Sequence, residues 1–145
     1  MDNKPTIAEI VILASGAVAL IFSFFPWFGN DFIDINAWDT DGFFPLTTYV
    51  PLIGLVMAGV VALGRFANVN MSARVLDFTW AQVHIALAFF AVLIAVGFLI
   101  AGDGLKFGFY LCLLASIGLL VGAVMLRQET DHTAAGPGTA PPQPF

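Results

Sequence analysis

Apolar residues along this chain gather into four long runs, separated by polar stretches of very unequal length. The runs cover residues 6–25, 45–63, 80–101 and 107–126. Each holds about 19–22 residues, and at ~1.5 Å of rise per residue a helix of that length spans the ~30 Å hydrocarbon core of a bilayer. A segment in lipid must satisfy its own backbone polar groups, which selects helix. The strict alternation of a membrane β-strand is absent. The pattern therefore predicts an all-α membrane protein, a four-transmembrane-helix bundle filling residues 1–126. Residues 127–145 end in AAGPGTAPPQPF. They carry no apolar period with which to dock, so a disordered Pro/Gly-rich tail is expected there.

Prolines and connections refine these elements. Pro45 suits the first turn of the second helix, where no amide donor is missed. Pro51 falls inside that helix and predicts a kink, with Thr47 and Thr48 close enough in sequence to serve the freed carbonyl groups. The first run is longer than the usual ~7–15-residue signal core, and no small-x-small site follows it, so it is expected to remain as an anchor. The connection Pro26–Phe44 is acidic and aromatic, Gly64–Thr79 is polar and holds Arg65, Arg74 and Asp77, and Gly102–Lys106 is a tight Gly-Asp-Gly turn. Lys4, Arg65, Arg74 and Arg127 fall on one side of the predicted membrane, and Lys106 alone falls on the other. The richer side is normally cytoplasmic. This predicts a multi-pass protein of the cell membrane with both termini cytoplasmic. Trp27 and Trp80 stand at helix ends, where interfacial tryptophans belong.

Composition changes the reading in one respect. Hydrophobic residues make up 59%, charged residues 10%, and the mean hydropathy is +0.92. A water-soluble domain of this size needs more polar residues to cover it, so the lipid bilayer is the first partner implied. The net charge of −5 argues against nucleic acid, which needs a basic surface. The single cysteine, Cys112, forms no internal disulfide and reads as a small buried apolar residue.

Helices in lipid associate through close packing of small residues. Helical spacing aligns Ala8, Ser15, Ala19 and Ser23 on the first helix, and Thr47, Gly54, Ala58 and Ala62 on the second. His84, Ala88, Ala91 and Ala95 align on the third, and Gly108, Cys112, Ala115 and Gly122 on the fourth. Gly118 and Gly122 form a GxxxG pair, expected to pack against a neighbouring helix of the same chain. The alternative use of such a pair leaves a homo-oligomer open.

Polar residues within the runs are few. Glu9 lies about one turn into the first helix, and Gln82 and His84 about one turn into the third, at the same end. Intramembrane polar residues are functional candidates by default, and matched depth makes Glu9 and His84 a candidate hydrogen-bonded pair. A structural clasp is the favoured reading. A proton-sensitive transport site would carry a carboxylate nearer the midplane. In the first outer loop, Trp27, Phe32, Trp38, Asp39, Asp41 and Phe43 read either as a partner-binding patch or as a cap folded onto the bundle end. Asp39-Thr40-Asp41-Gly42 is similar to part of a calcium loop but lacks the remaining ligands and the closing Glu. No metal or cofactor is expected. No nucleophile–base arrangement or phosphate loop is present, so the chain does not read as an enzyme.

The string FSFFPWFG, followed by NAW and DGFFPL, resembles small bacterial four-helix membrane proteins. These leave the first helix through Pro-Trp-aromatic, carry Asn-Ala-Trp in the first outer loop and end in a Pro/Gly-rich tail. The resemblance implies topology and localisation and carries over no functional residue. The function expected is that of a non-enzymatic multi-pass membrane protein of the cell envelope, acting through contacts with a membrane or envelope protein. The alternative is a small transporter or channel subunit using Glu9 and His84.

Overall fold

The computed structural model describes residues 4–40, 44–67, 74–75 and 77–134. Within these the chain forms four helices, α1 Ile7–Phe22, α2 Leu46–Phe66, α3 Trp80–Ala101 and α4 Phe107–Ala134. Two short antiparallel hairpins join them, β1 Phe28–Gly29 with β2 Asp34–Ile35, and β3 Arg74–Val75 with β4 Phe78–Thr79. The fold is an all-helical bundle, and α2, α3 and α4 are long and apolar enough to cross a membrane. At 16 residues, α1 is only about 24 Å long. Its N-terminus is set by a capping box, in which the Thr6 hydroxyl accepts from Glu9 N and the Glu9 carboxylate from Thr6 N. Its last turn tightens, with Phe24 N donating to Ile21 O and Phe25 N to Phe22 O, and Pro26 then ends it. That is why the predicted helix over 6–25 stops at Phe22.

The other bounds differ for local reasons. Helix α2 runs past Leu63 to Phe66, so Gly64 and Arg65 belong to a helix and not to a connection. Helix α4 continues to Ala134, eight residues into the stretch expected to be a disordered tail. Thr130 donates back to Leu126 O and Arg127 pairs with Asp131 one turn on, so this part gains its own helical support. Residues 135–145 lie outside the described residues.

Packing follows the small-residue faces. Helix α1 lies between α2 and α4, and α3 packs mainly on α4 and less on α2, which places α1 and α3 on a diagonal of the bundle. On α3 the predicted stripe of His84, Ala88, Ala91 and Ala95 is buried, as are Gly108, Cys112, Ala115 and Gly122 on α4. The α1–α2 crossing is tighter still. A Cβ on Gly16 would stand 2.6 Å from Gly54 O and 2.7 Å from Ala58 Cβ, so glycine is required for the backbones to meet. The outward faces are apolar, with Phe89, Phe90, Leu93, Ile100 and Leu114 all exposed, an area far beyond what a water-soluble monomer shows.

The GxxxG pair packs inside the chain. A Cβ on Gly118 would collide with the Ser15 side chain, and one on Gly122 would stand 2.7 Å from Ile12 Cγ1. Val121, one residue away, is half exposed. Gly122→Leu is therefore expected to lower stability by about 1–3 kcal/mol, and Val121→Leu to leave it unchanged. Thermal unfolding of both variants in the same detergent checks this, and equal midpoints would refute the packing face.

Pro51 sits buried within α2. Neither of the two threonines before it makes the expected hydrogen bond to a freed carbonyl group. The Thr48 hydroxyl donates to Ala37 O in the connection between α1 and α2 at 2.7 Å, and Thr47 Oγ1 is buried with no hydrogen-bond partner among the described residues.

Candidate functional site

The bundle has two chemically distinct ends. At the loop end, where α1 joins α2 and α3 joins α4, the aromatic connection folds back as a lid. Trp27 is fully buried and donates through Nε1 to Phe22 O. Its ring meets Phe109 edge-on at 5.8 Å, and Phe28 meets Phe98 at 5.3 Å. The β1–β2 hairpin is fixed at both sides. Trp27 N donates to Ile35 O, Gly29 N to Gly104 O and Lys106 N to Trp27 O. Lys106 Nζ pairs with Asp34 and also reaches Asn30 O, so the one basic residue of this end is neutralised. Gly104 has φ +70°, and a Cβ there would stand 2.7 Å from Gly29 O. The Gly-Asp-Gly turn thus serves both its own bend and the approach of the hairpin.

This arrangement sorts the residues expected in a partner patch. Trp27 is core, and it is neither an interfacial anchor nor a contact surface. Trp38 is partly buried, stacked on Phe24 at 5.6 Å and bonded through Nε1 to Ser23 Oγ at 2.8 Å. Asp39 accepts from Asn36 N and closes a turn. Phe32 is 93% exposed and Ile33 is 61% exposed, on a tip whose bend is held by Asn30 Oδ1 accepting from Phe32 N and Ile33 N. Asp41 and Phe43 lie outside the described residues.

At the terminal end, the starts of α1 and α3 meet the ends of α2 and α4 around a cleft of about 290 Å³. Glu9, Val60, Val61, Gly64, Arg65, Trp80, His84 and Leu126 line it. Glu9 is buried, and both its carboxylate oxygens accept from Arg65 Nε, at 2.7 and 2.8 Å. The expected Glu9–His84 pair does not form. Glu9 and His84 sit on diagonal helices, whereas Arg65 is on α2, which packs directly against α1. His84 is only 2% exposed. Backbone of Met57 and Trp80 faces its ring, yet neither ring nitrogen makes a well-formed hydrogen bond with a described residue. Gln82, the third polar candidate, accepts from Thr79 N in a second capping box.

Sequence reasoning missed Arg65 because the second helix was ended two residues before it. The depth argument applied to Glu9 would have matched Arg65 as well, since both stand near the same end of antiparallel neighbours. The capping boxes were also legible, as Thr6-x-x-Glu9 and Thr79-x-x-Gln82.

The corrected pairing sets an expectation for a double-mutant cycle. Glu9→Gln with Arg65→Gln should show a coupling of about 1–3 kcal/mol, as charge-assisted hydrogen bonds do, and Glu9→Gln with His84→Ala should show almost none. Detergent unfolding of the singles and doubles measures both, and the reverse ranking would refute the pairing. Comparison with protein-family models, with curated proteins and with solved structures finds no match for this chain.

Proposed function

We propose that this chain is a non-enzymatic, four-span protein of the cell membrane, with both termini cytoplasmic, that acts through contact with another membrane or envelope protein. The fourth span is α1 together with the tight turn that follows it. Contacts along α4 support this. A Cβ on Gly122 would touch Ile12, near the start of α1, and one on Gly108 would touch Phe25 and Pro26 O beyond its end. The segment from Thr6 to Pro26 thus accompanies α4 through the length of its apolar part. The basic residues support the orientation, because Lys106, alone at the loop end, is paired with Asp34, and the remaining basic residues favour a cytoplasmic terminal end.

The observation that carries the functional reading is the loop end. Trp27, Phe28, Phe98 and Phe109 fill it as one cluster, where a solute path would need an opening. The rigid hairpin above them presents Phe32 and Ile33 outward. Exposed apolar side chains on a pinned backbone lose little entropy when a partner covers them.

Two measurements test the reading. Cysteines placed at Phe32 and at Ser72 should differ in whole cells, with an impermeant reagent labelling the first and not the second. The reverse labelling would invert the orientation. A photo-crosslinking residue at position 32 should give a discrete adduct in native membranes, and one at lipid-facing Leu114 should give none. Ion or substrate flux in reconstituted vesicles that disappears with Glu9→Gln would replace this reading with the transporter.

A further inference from the structure

The β1–β2 hairpin holds Phe32 and Ile33 out from the bundle end, with Asn30 Oδ1 accepting from both of their amides. Phe32 keeps almost its whole surface free. The charged residues on either side of this pair are Asp31 and Asp34, both exposed. Asp34 is taken by Lys106, whereas Asp31 meets no basic side chain among the described residues. The α3–α4 turn lies against the hairpin, since Gly29 N donates to Gly104 O. That turn adds Asp103, also exposed and without a basic partner among the described residues. The nearby sequence supplies no other compensation. Residues 5–64 contain no Lys, Arg or His, and Lys106 stands alone across residues 85–126. The exposed apolar pair therefore sits in a negative field.

Charge decides what covers such a tip. Lowering Phe32 into lipid would draw Asp31 out of water and toward anionic head groups, and both steps are unfavourable. A second copy docking tip to tip would set carboxylate against carboxylate, which is also unfavourable. A basic protein surface gains from the same charges. We propose that the tip docks on a partner protein through an apolar pocket for Phe32 and Ile33, rimmed by Lys or Arg side chains that meet Asp31 and Asp103. An aromatic anchor in a pocket carries much of the energy of such a contact, and the rim charges set partner choice and encounter rate. The proposal rests on the contact reading of the loop end and adds the partner's chemistry to it.

The test places a photo-crosslinking residue at position 32 of the full chain, in native membranes opened by freeze–thawing. Irradiation is compared at about 0.1 M and about 1 M salt, between which the Debye length falls from about 10 Å to about 3 Å. The parent chain is compared with the double variant Asp31→Lys, Asp103→Lys, whose two sites are exposed, so its unfolding midpoint in detergent should match the parent's. The expected result is a protein adduct whose yield falls about fivefold at the higher salt and about fivefold or more in the double variant. Peptide mapping should place the adduct among Lys or Arg residues of the partner. Asp31→Asn with Asp103→Asn removes charge without reversing it and should give an intermediate loss. A protein adduct of unchanged yield under all these conditions, or one mapped to an acidic segment, would overturn the proposal and leave the contact reading standing. An adduct with a second copy of this chain would do the same. An adduct of lipid mass, or none in any chain, would overturn both.

Discussion

Replacing Trp27 by alanine is expected to destabilise the bundle by about 3 kcal/mol, the lower end of the range for a buried tryptophan. The lower end applies because the unfolded chain in a membrane keeps apolar surface out of water, which leaves mainly the cavity and lost-contact terms. Trp27 touches three elements at once. Its ring packs on Phe109 of α4, its Nε1 caps Phe22 O at the end of α1, and its backbone joins both Ile35 and Lys106. Removing the ring leaves a void under the hairpin, so Phe32 at the tip should become more mobile as well. Trp27→Phe retains ring packing and loses one hydrogen bond, a cost of about 1 kcal/mol. Unfolding midpoints of the two variants, with the mobility of a spin label at Phe32, check the expectation. A Trp27→Ala variant as stable as the parent would mean that the lid does not hold the bundle end together.

Gly16→Leu is expected to cost about 3 kcal/mol or more, at the upper limit of ordinary overpacking. The obstacle is backbone: Gly54 O lies 2.6 Å from the Cβ position and cannot rotate away as a side chain would. The helices must separate, and α1 then loses its contact with α2 along the crossing. Displacement of α1 would also pull Glu9 from Arg65, so the variant should lose part of the Glu9–Arg65 coupling. Gly59 offers the control, since nothing lies within 4 Å of its Cβ position, and Gly59→Ala should be neutral or slightly stabilising through helix propensity. Parallel unfolding curves of Gly16→Leu and Gly59→Ala distinguish the two sites. Indistinguishable midpoints would show that the α1–α2 crossing lies elsewhere.

The candidate site was legible only in its components. Glu9 and His84 stand out in any reading because polar groups in apolar runs are expensive, and both do line one cleft. Their supposed bond failed because depth along a helix is one coordinate, and contact also requires adjacent helices. A sequence of four similar apolar runs does not state which runs are neighbours and which are diagonal. The connection between α1 and α2 was legible in part, since a cap folded onto the bundle end was one of its two readings. Its aromatic residues were visible as a group, but their division into Trp27 as core, Trp38 as a hydrogen-bonded brace and Phe32 as free tip depends on the register Phe28↔Ile35, which no local pattern specifies.

What the sequence determined by itself is whatever depends on spacing along one segment. Helix α3 matches its expected bounds, Trp80–Ala101, because the Thr79 capping box starts it and Gly102 ends it. The small-residue stripes of α3 and α4 are the buried faces because a period of 3.6 residues is a property of the single helix. Tertiary structure alone decided which helices touch, that Arg65 and not His84 satisfies Glu9, and that the connection between α1 and α2 is a lid. These outcomes follow from closeness between residues far apart in the chain, and they were settled by where Gly16, Gly54 and Gly122 allow backbones to approach.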